Sequence, residues 1–140
     1  MGNRCSSCRA EATARDCGVR AILRWLPLET PIGTILYLDT SNCRVNCLKS
    51  ASYVAQSENY LFKVEKGAIG RCYLKRQNET VKITKDTRFD EFQRIGLALS
   101  NNIYSVSLMY LGGAVYEYVN VLEPIYNESD EVDLKPNEVY

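Results

Sequence analysis

Residues 103–122 read IYSVSLMYL, then GG, then AVYEYVNVL. Two runs rich in β-branched and aromatic residues, separated only by Gly112-Gly113, make a strong hairpin signal. A tight two-residue turn needs positive φ at its centre, and glycine supplies it without a steric cost. The first run alternates imperfectly through Ile103, Val106, Leu108 and Tyr110. The second sets Val115, Glu117 and Val119 against Tyr116, Tyr118 and Asn120. Tyr118-Val-Asn resembles an adaptor SH2-domain ligand, and Tyr116-x-x-Val119 a tyrosine-based sorting signal. Either would need an accessible, extended segment, whereas pairing of aromatic side chains across strands accounts for the same residues.

Working outward from the hairpin, an amphipathic helix is expected near 87–100. Thr87 followed by Asp90 has the form of a capping box, and Phe89, Phe92, Ile95 and Leu99 recur at three- to four-residue spacing. Before it, five strand candidates run from residue 32 to residue 84: 32–38 (IGTILYL), 43–54, 60–64 (YLFKV), 69–75 (IGRCYLK) and 80–84 (TVKIT). Asp39-Thr40-Ser41-Asn42 ends the first, and Glu65-Lys66-Gly67 reads as a hairpin turn. The expected architecture is α+β: a single small domain, mostly an antiparallel sheet of six to seven strands, with one main helix and a short N-terminal helix. That short helix falls within residues 9–26, where Val19, Ile22, Leu23 and Leu26 follow a helical period before Pro27. It serves either as a basic interfacial helix with Trp25 as anchor or as a terminal helix packed on the domain. The domain boundaries expected are 1–26 for a basic arm, 27–124 for the α+β domain and 125–140 for an acidic tail.

Formal net charge is zero, with 17 basic and 17 acidic residues, which argues against a nucleic-acid partner. The zero conceals an asymmetry. Residues 1–26 balance to +3, residues 27–116 to +3 and residues 117–140 to −6. A basic front and an acidic rear predict a polar orientation on an anionic surface.

The chain opens Met1-Gly2-Asn3-Arg4-Cys5-Ser6-Ser7-Cys8. This fits the N-myristoylation pattern, with Gly2 as acceptor and Ser6 at the required place. Cys5 and Cys8 lie where a membrane-held glycine would present them for S-palmitoylation, and Arg4 and Arg9 flank them. One myristoyl chain binds membranes only marginally, so a second signal is needed for stable residence. Arg20 and Arg24 would extend the basic contact, and Lys63, Lys66, Arg71, Lys75 and Arg76 would add a basic hairpin face. That face has other readings: a solvated sheet face or edge guarded against aggregation, a dock for an acidic protein, or a dock for the chain's own tail. In the tail, Tyr126, Ser129 and Tyr140 are candidate phosphorylation sites.

The six cysteines are read as reduced thiols. Their spacing allows a rival to acylation, in which Cys5, Cys8, Cys43 and Cys47 hold a structural zinc ion. No histidine is present, which removes His-based triads and His-containing metal sites. No Walker loop, dinucleotide fingerprint or nucleophile elbow is present either. No enzyme activity, cofactor or metal is therefore expected as the leading reading.

A short acylated arm ahead of a small β-rich domain resembles the plan of several unrelated peripheral proteins. Among them are apicomplexan inner-membrane-complex proteins with pleckstrin-homology-like domains, myristoylated viral matrix or accessory proteins, and acylated bacterial effectors. The resemblance covers residues 1–8 and the overall layout. It implies a non-enzymatic adaptor or scaffold on the cytoplasmic face of the plasma membrane or an endomembrane.

Overall fold

In the computed structural model, the described residues are 14–15 and 18–124. They form an α+β domain built on a curled antiparallel sheet. In chain order the strands are β1 (Ala14–Arg15), β2 (Ala21–Thr30), β3 (Gly33–Leu38), β4 (Arg44–Val45), β5 (Phe62–Lys63), β6 (Glu79–Lys82), β7 (Ile103–Leu111), β8 (Ala114–Val121) and β9 (Glu123–Pro124). Helices α1 (Leu48–Ser57), α2 (Gly67–Lys75) and α3 (Ile95–Ser100) are interleaved with them. The main sheet runs β5-β3-β2-β8-β7-β6, with β4 also paired to β2.

The hairpin at 103–122 forms as expected. Gly112 and Gly113 have φ of 60° and 84°, and Leu111 pairs with Ala114 across the turn. The imperfect alternation of β7 has a local cause. The register slips between Ile103 and Ser105, a bulge that resets which residues face inward, so Ile103, Val106 and Leu108 are all buried.

The expected N-terminal helix is corrected by β2, which crosses the boundary expected at residue 27. Its burial alternates from Ala21 to Trp25, with Ala21, Leu23 and Trp25 inward. Pro27 is compatible with this central strand. The Arg24 carbonyl accepts from Asp39 N–H, so Trp25 and Pro27 turn their backbone groups toward β8. The last β2–β8 pair is Trp25 with Val115, so the missing N–H of Pro27 falls beyond the ladder.

Two expected strands are also corrected. Most of 43–54 lies in α1, whose buried face is Ser50, Tyr53, Val54 and Ser57, spaced for a helix. Residues 69–75 lie in α2, so no β-hairpin forms at Glu65-Lys66-Gly67. The helix expected near 87–100 shrinks to α3. Thr87 does not cap it: its Oγ1 donates to the Lys82 carbonyl at 2.7 Å and accepts from Thr84 N–H at 2.9 Å, closing the 82–87 loop.

The helices cover one face of the sheet. Between them lies a core of Leu23, Trp25, Leu36, Phe62, Ile69, Phe92, Val106, Leu108, Val115 and Val119. Cys72 of α2 is in this core, 1% exposed, and burial, with the Glu79 charge adding, pushes its thiol up to about 11 from an ordinary 9.0. Between those two pH values the unfolded chain has lost a proton that the folded chain keeps. Stability therefore falls as pH rises through the window, by about 2–3 kcal/mol for this group. Buried Tyr53, whose phenol burial holds well above its ordinary value, acts in the same direction. Urea unfolding at pH 9 and pH 11 should show a smaller alkaline loss in Cys72→Ala than in wild type; equal losses would contradict the assignment.

Strands β1 and β9 pair with each other, Ala14 opposite Pro124 and Arg15 opposite Glu123. The basic arm and the acidic tail thus depart from adjacent points.

Candidate functional site

On the face of the sheet away from the helices, β2, β4 and β8 carry a cross-strand row. Arg24 pairs with Tyr116, and Ile22 lies between Arg44 and Tyr118. With the 3-10 turn Thr40–Asn42 and Cys43, these side chains line a recess of about 340 Å³. Period-2 alternation explains its composition, since the neighbours along the strand of the buried Leu23, Trp25, Glu117 and Val119 must face outward.

The recess is held by one carboxylate. Arg24 Nη1 donates to Asp39 Oδ2 at 2.8 Å, and Arg24 Nε donates to the Tyr116 hydroxyl at 3.2 Å. Asp39 also accepts from Ser41 Oγ at 2.6 Å, Asn42 Nδ2 at 2.8 Å and Ser41 N–H at 3.2 Å. The Ser41 and Asn42 bonds, with Arg24 adding, hold the Asp39 carboxyl below its usual range. Arg24 is therefore oriented while keeping 30% of its side chain exposed, and Arg44 is exposed beside it. Two guanidinium groups against one carboxylate, flanked by tyrosine rings, suit an anionic ligand with some apolar surface. Burial pushes the Cys43 thiol upward, so it is protonated at neutral pH and is a weak nucleophile there.

Directly behind this row, on the inner face, is a buried ion pair. Arg94 Nη2 donates to both Glu117 oxygens, at 2.9 and 3.0 Å, and the two side chains are 1% and 0% exposed. Trp25 Nε1 donates to Glu117 Oε1 at 2.8 Å, Tyr53 OH to Oε2 at 2.7 Å, and Arg94 Nη1 to Ser57 Oγ at 2.9 Å. The rings of Phe92, Trp25, Tyr53 and Phe62 surround the guanidinium, with centroids 4.9–5.1 Å from its carbon. Burial opposes the charge on Arg94, but the Glu117 carboxylate, with Tyr53 and Tyr60 adding, leaves the Arg94 pKa raised. This cluster is sealed from solvent and ties β2, β8, α1 and the 92–94 turn together. Its role is to fix the strands that carry the recess.

Among the described residues, those expected to contact a membrane lie on several different elements. Arg20 is buried at 7% exposure. Arg24 belongs to the recess. Lys63 on β5, Lys66 ahead of α2 and Lys75 in its last turn are exposed. Arg71 is ion-paired with Glu79 and also donates to the carbonyls of Asp90 and Glu91. Arg76 adopts φ of 55° at the end of α2 and stacks over Tyr110 at 5.5 Å. These five cations sit on a strand, a loop and a helix, so the single hairpin face expected for them is not formed. Gly2, Arg4, Cys5, Cys8, Arg9, Tyr126, Ser129 and Tyr140 lie outside the described residues.

Cys43 Sγ contacts the Asp39 carbonyl at 3.5 Å, and buried Cys47 Sγ contacts Ser50 Oγ at 3.3 Å. Among the described residues no three potential ligands cluster in a way that would hold a metal ion. Tyr116 and Tyr118 lie within the paired strand β8, opposite Met109 and Ser107 on β7 and Arg24 and Ile22 on β2, so their cross-strand partners are not the aromatic ones expected. No family model and no curated protein matches the chain.

Proposed function

We propose that this protein is a non-enzymatic, peripheral membrane adaptor or scaffold, N-myristoylated on Gly2 and S-palmitoylated at Cys5 and Cys8. The observation that carries this reading is the N-terminal octapeptide, where acceptor glycine, Ser6, two cysteines and Arg4 converge. Myristate alone gives weak, reversible binding, so a thioester or cationic contact supplies the rest. A cation near an anionic leaflet adds about 1 kcal/mol, which Arg4 and Arg9 beside the acyl acceptors would supply. The domain then presents its recess to a protein partner on the cytoplasmic side of the plasma membrane or an endomembrane. No helix of the described residues is long and apolar enough to cross a membrane, so attachment in this reading rests on acyl chains and charge.

The test is Gly2→Ala in cells, read by fractionation. Wild type is expected to sediment with membranes and the variant to become soluble. An unchanged membrane fraction in the variant would overturn the proposal.

A further inference from the structure

We propose that the recess between β2, β4 and β8 is a docking site for an acidic peptide segment, and that its ligand is the chain's own stretch Glu128–Asp133. The site's chemistry comes first. Arg24 is oriented by Asp39 and Tyr116 with 30% of its side chain exposed, and Ile22, Tyr118 and the exposed Arg44 line the recess with it. A ligand for such a surface has clustered carboxylates interleaved with apolar side chains. Residues 128–134 read ESDEVDL, with four acids and then Val132 and Leu134 as apolar neighbours.

Reach is the second argument. Tyr118 and Pro124 are six residues apart along the chain, hence separated by at most roughly 20 Å. Glu128 follows Pro124 by four residues and Asp133 by nine, which in extended form cover roughly 13–30 Å. The acidic run can therefore lie back over the row Arg44–Ile22–Tyr118. The β1–β9 pair fixes Pro124 against Ala14, so the tail starts from a defined point on the domain. So short a tether sets an effective concentration on the order of mM, enough for a weak contact to be occupied most of the time. Occupation would neutralise the recess and withhold it from an acidic partner or an anionic leaflet. This holds whether or not Gly2 carries an acyl chain.

The test is NMR relaxation of the full chain at low salt. In wild type, backbone order parameters at residues 128–133 should stay above about 0.6, the level of flexible chain, and should fall below it in Arg44→Glu. Arg44 is exposed, so this variant keeps the fold, and unchanged amide shifts in β6 and α2, neither of which lines the recess, verify that. A second full-length variant, with Asp130→Asn, Glu131→Gln and Asp133→Asn together, should shift the Tyr118 ring and Arg24 Nε–H resonances as Arg44→Glu does. Tail order below about 0.6 in wild type would overturn the proposal, as would tail order that survives Arg44→Glu. Loss of tail order in Arg4→Gln with Arg9→Gln, but not in Arg44→Glu, would place the acids on the arm and overturn it as well. Recess resonances that respond to phosphatidylserine vesicles but not to tail neutralisation would assign the site to lipid headgroups instead.

Discussion

Replacing Glu117 by alanine should remove a large part of the stability of the domain. Arg94 would be left charged and 1% exposed, and the donors of Trp25 and Tyr53 would lose their acceptor. Breaking a buried pair from one side costs about 3–5 kcal/mol, against a total of about 5–15 kcal/mol for a domain. Urea unfolding should show the loss directly. The companion substitution separates charge from packing: Arg94→Met with Glu117→Leu removes both charges and should recover more than half of the loss. A Glu117→Ala protein within about 1 kcal/mol of wild type would contradict the account of this cluster.

The second large effect concerns two glycines in helices. In α2, a Cβ on Gly70 would clash with the Lys63 carbonyl oxygen and sit 2.8 Å from the Glu65 nitrogen. Both are backbone atoms, so no side chain can swing aside, and α2 would have to lift off β5. Gly70→Ala should cost about 3 kcal/mol, the upper part of the range for overpacking, despite the gain in helix propensity. In α3, a Cβ on Gly96 meets nothing within 4 Å, so Gly96→Ala should raise stability by about 0.5–1 kcal/mol. The pair share chemistry and differ only in space. Equal effects by thermal unfolding would show that α2 does not pack on β5 this closely.

The sequence made the hairpin legible because its strands carry a period-2 pattern and its turn needs two glycines. The stretch at 21–26 misleads for a physical reason. Ile22, Leu23 and Leu26 fit a helical period while Ala21, Leu23 and Trp25 fit a strand, and pairing with β3, β4 and β8 decides between them. Helices α1 and α2 lack a start signal, since neither Cys47 nor Lys66 makes a side-chain cap bond. The inner face of α1 also uses Ser50 and Ser57, which hide its apolar period.

The same division holds at the sites. Glu117 in phase with Val115 and Val119 is a readable sign of a buried carboxylate, but its partner Arg94 lies 23 residues away. Arg24 stood out in the sequence as a cation for headgroups. Its actual neighbours, Asp39 and Tyr116, are 15 and 92 residues distant, and only the fold brings them together. The recess is a product of register, which no local pattern carries.

Sheet, buried pair and recess form one platform, which on the function proposed above would be attached to a leaflet through the first eight residues. The adjacency of β1 and β9 sharpens this account, because an anchored arm brings the root of the acidic tail close to the same surface. Release of the tail would then free the recess near the membrane, where a partner or an anionic lipid competes for it.

The central claim is the acylated N-terminus, and intact mass of the natively expressed protein, with the modified peptide mapped, tests it most directly. The account predicts loss of Met1, one myristoyl group on Gly2, and hydroxylamine-labile acyl groups on Cys5 and Cys8. A protein with unmodified Gly2, or one that retains stoichiometric zinc in native conditions through Cys5, Cys8, Cys43 and Cys47, would contradict it.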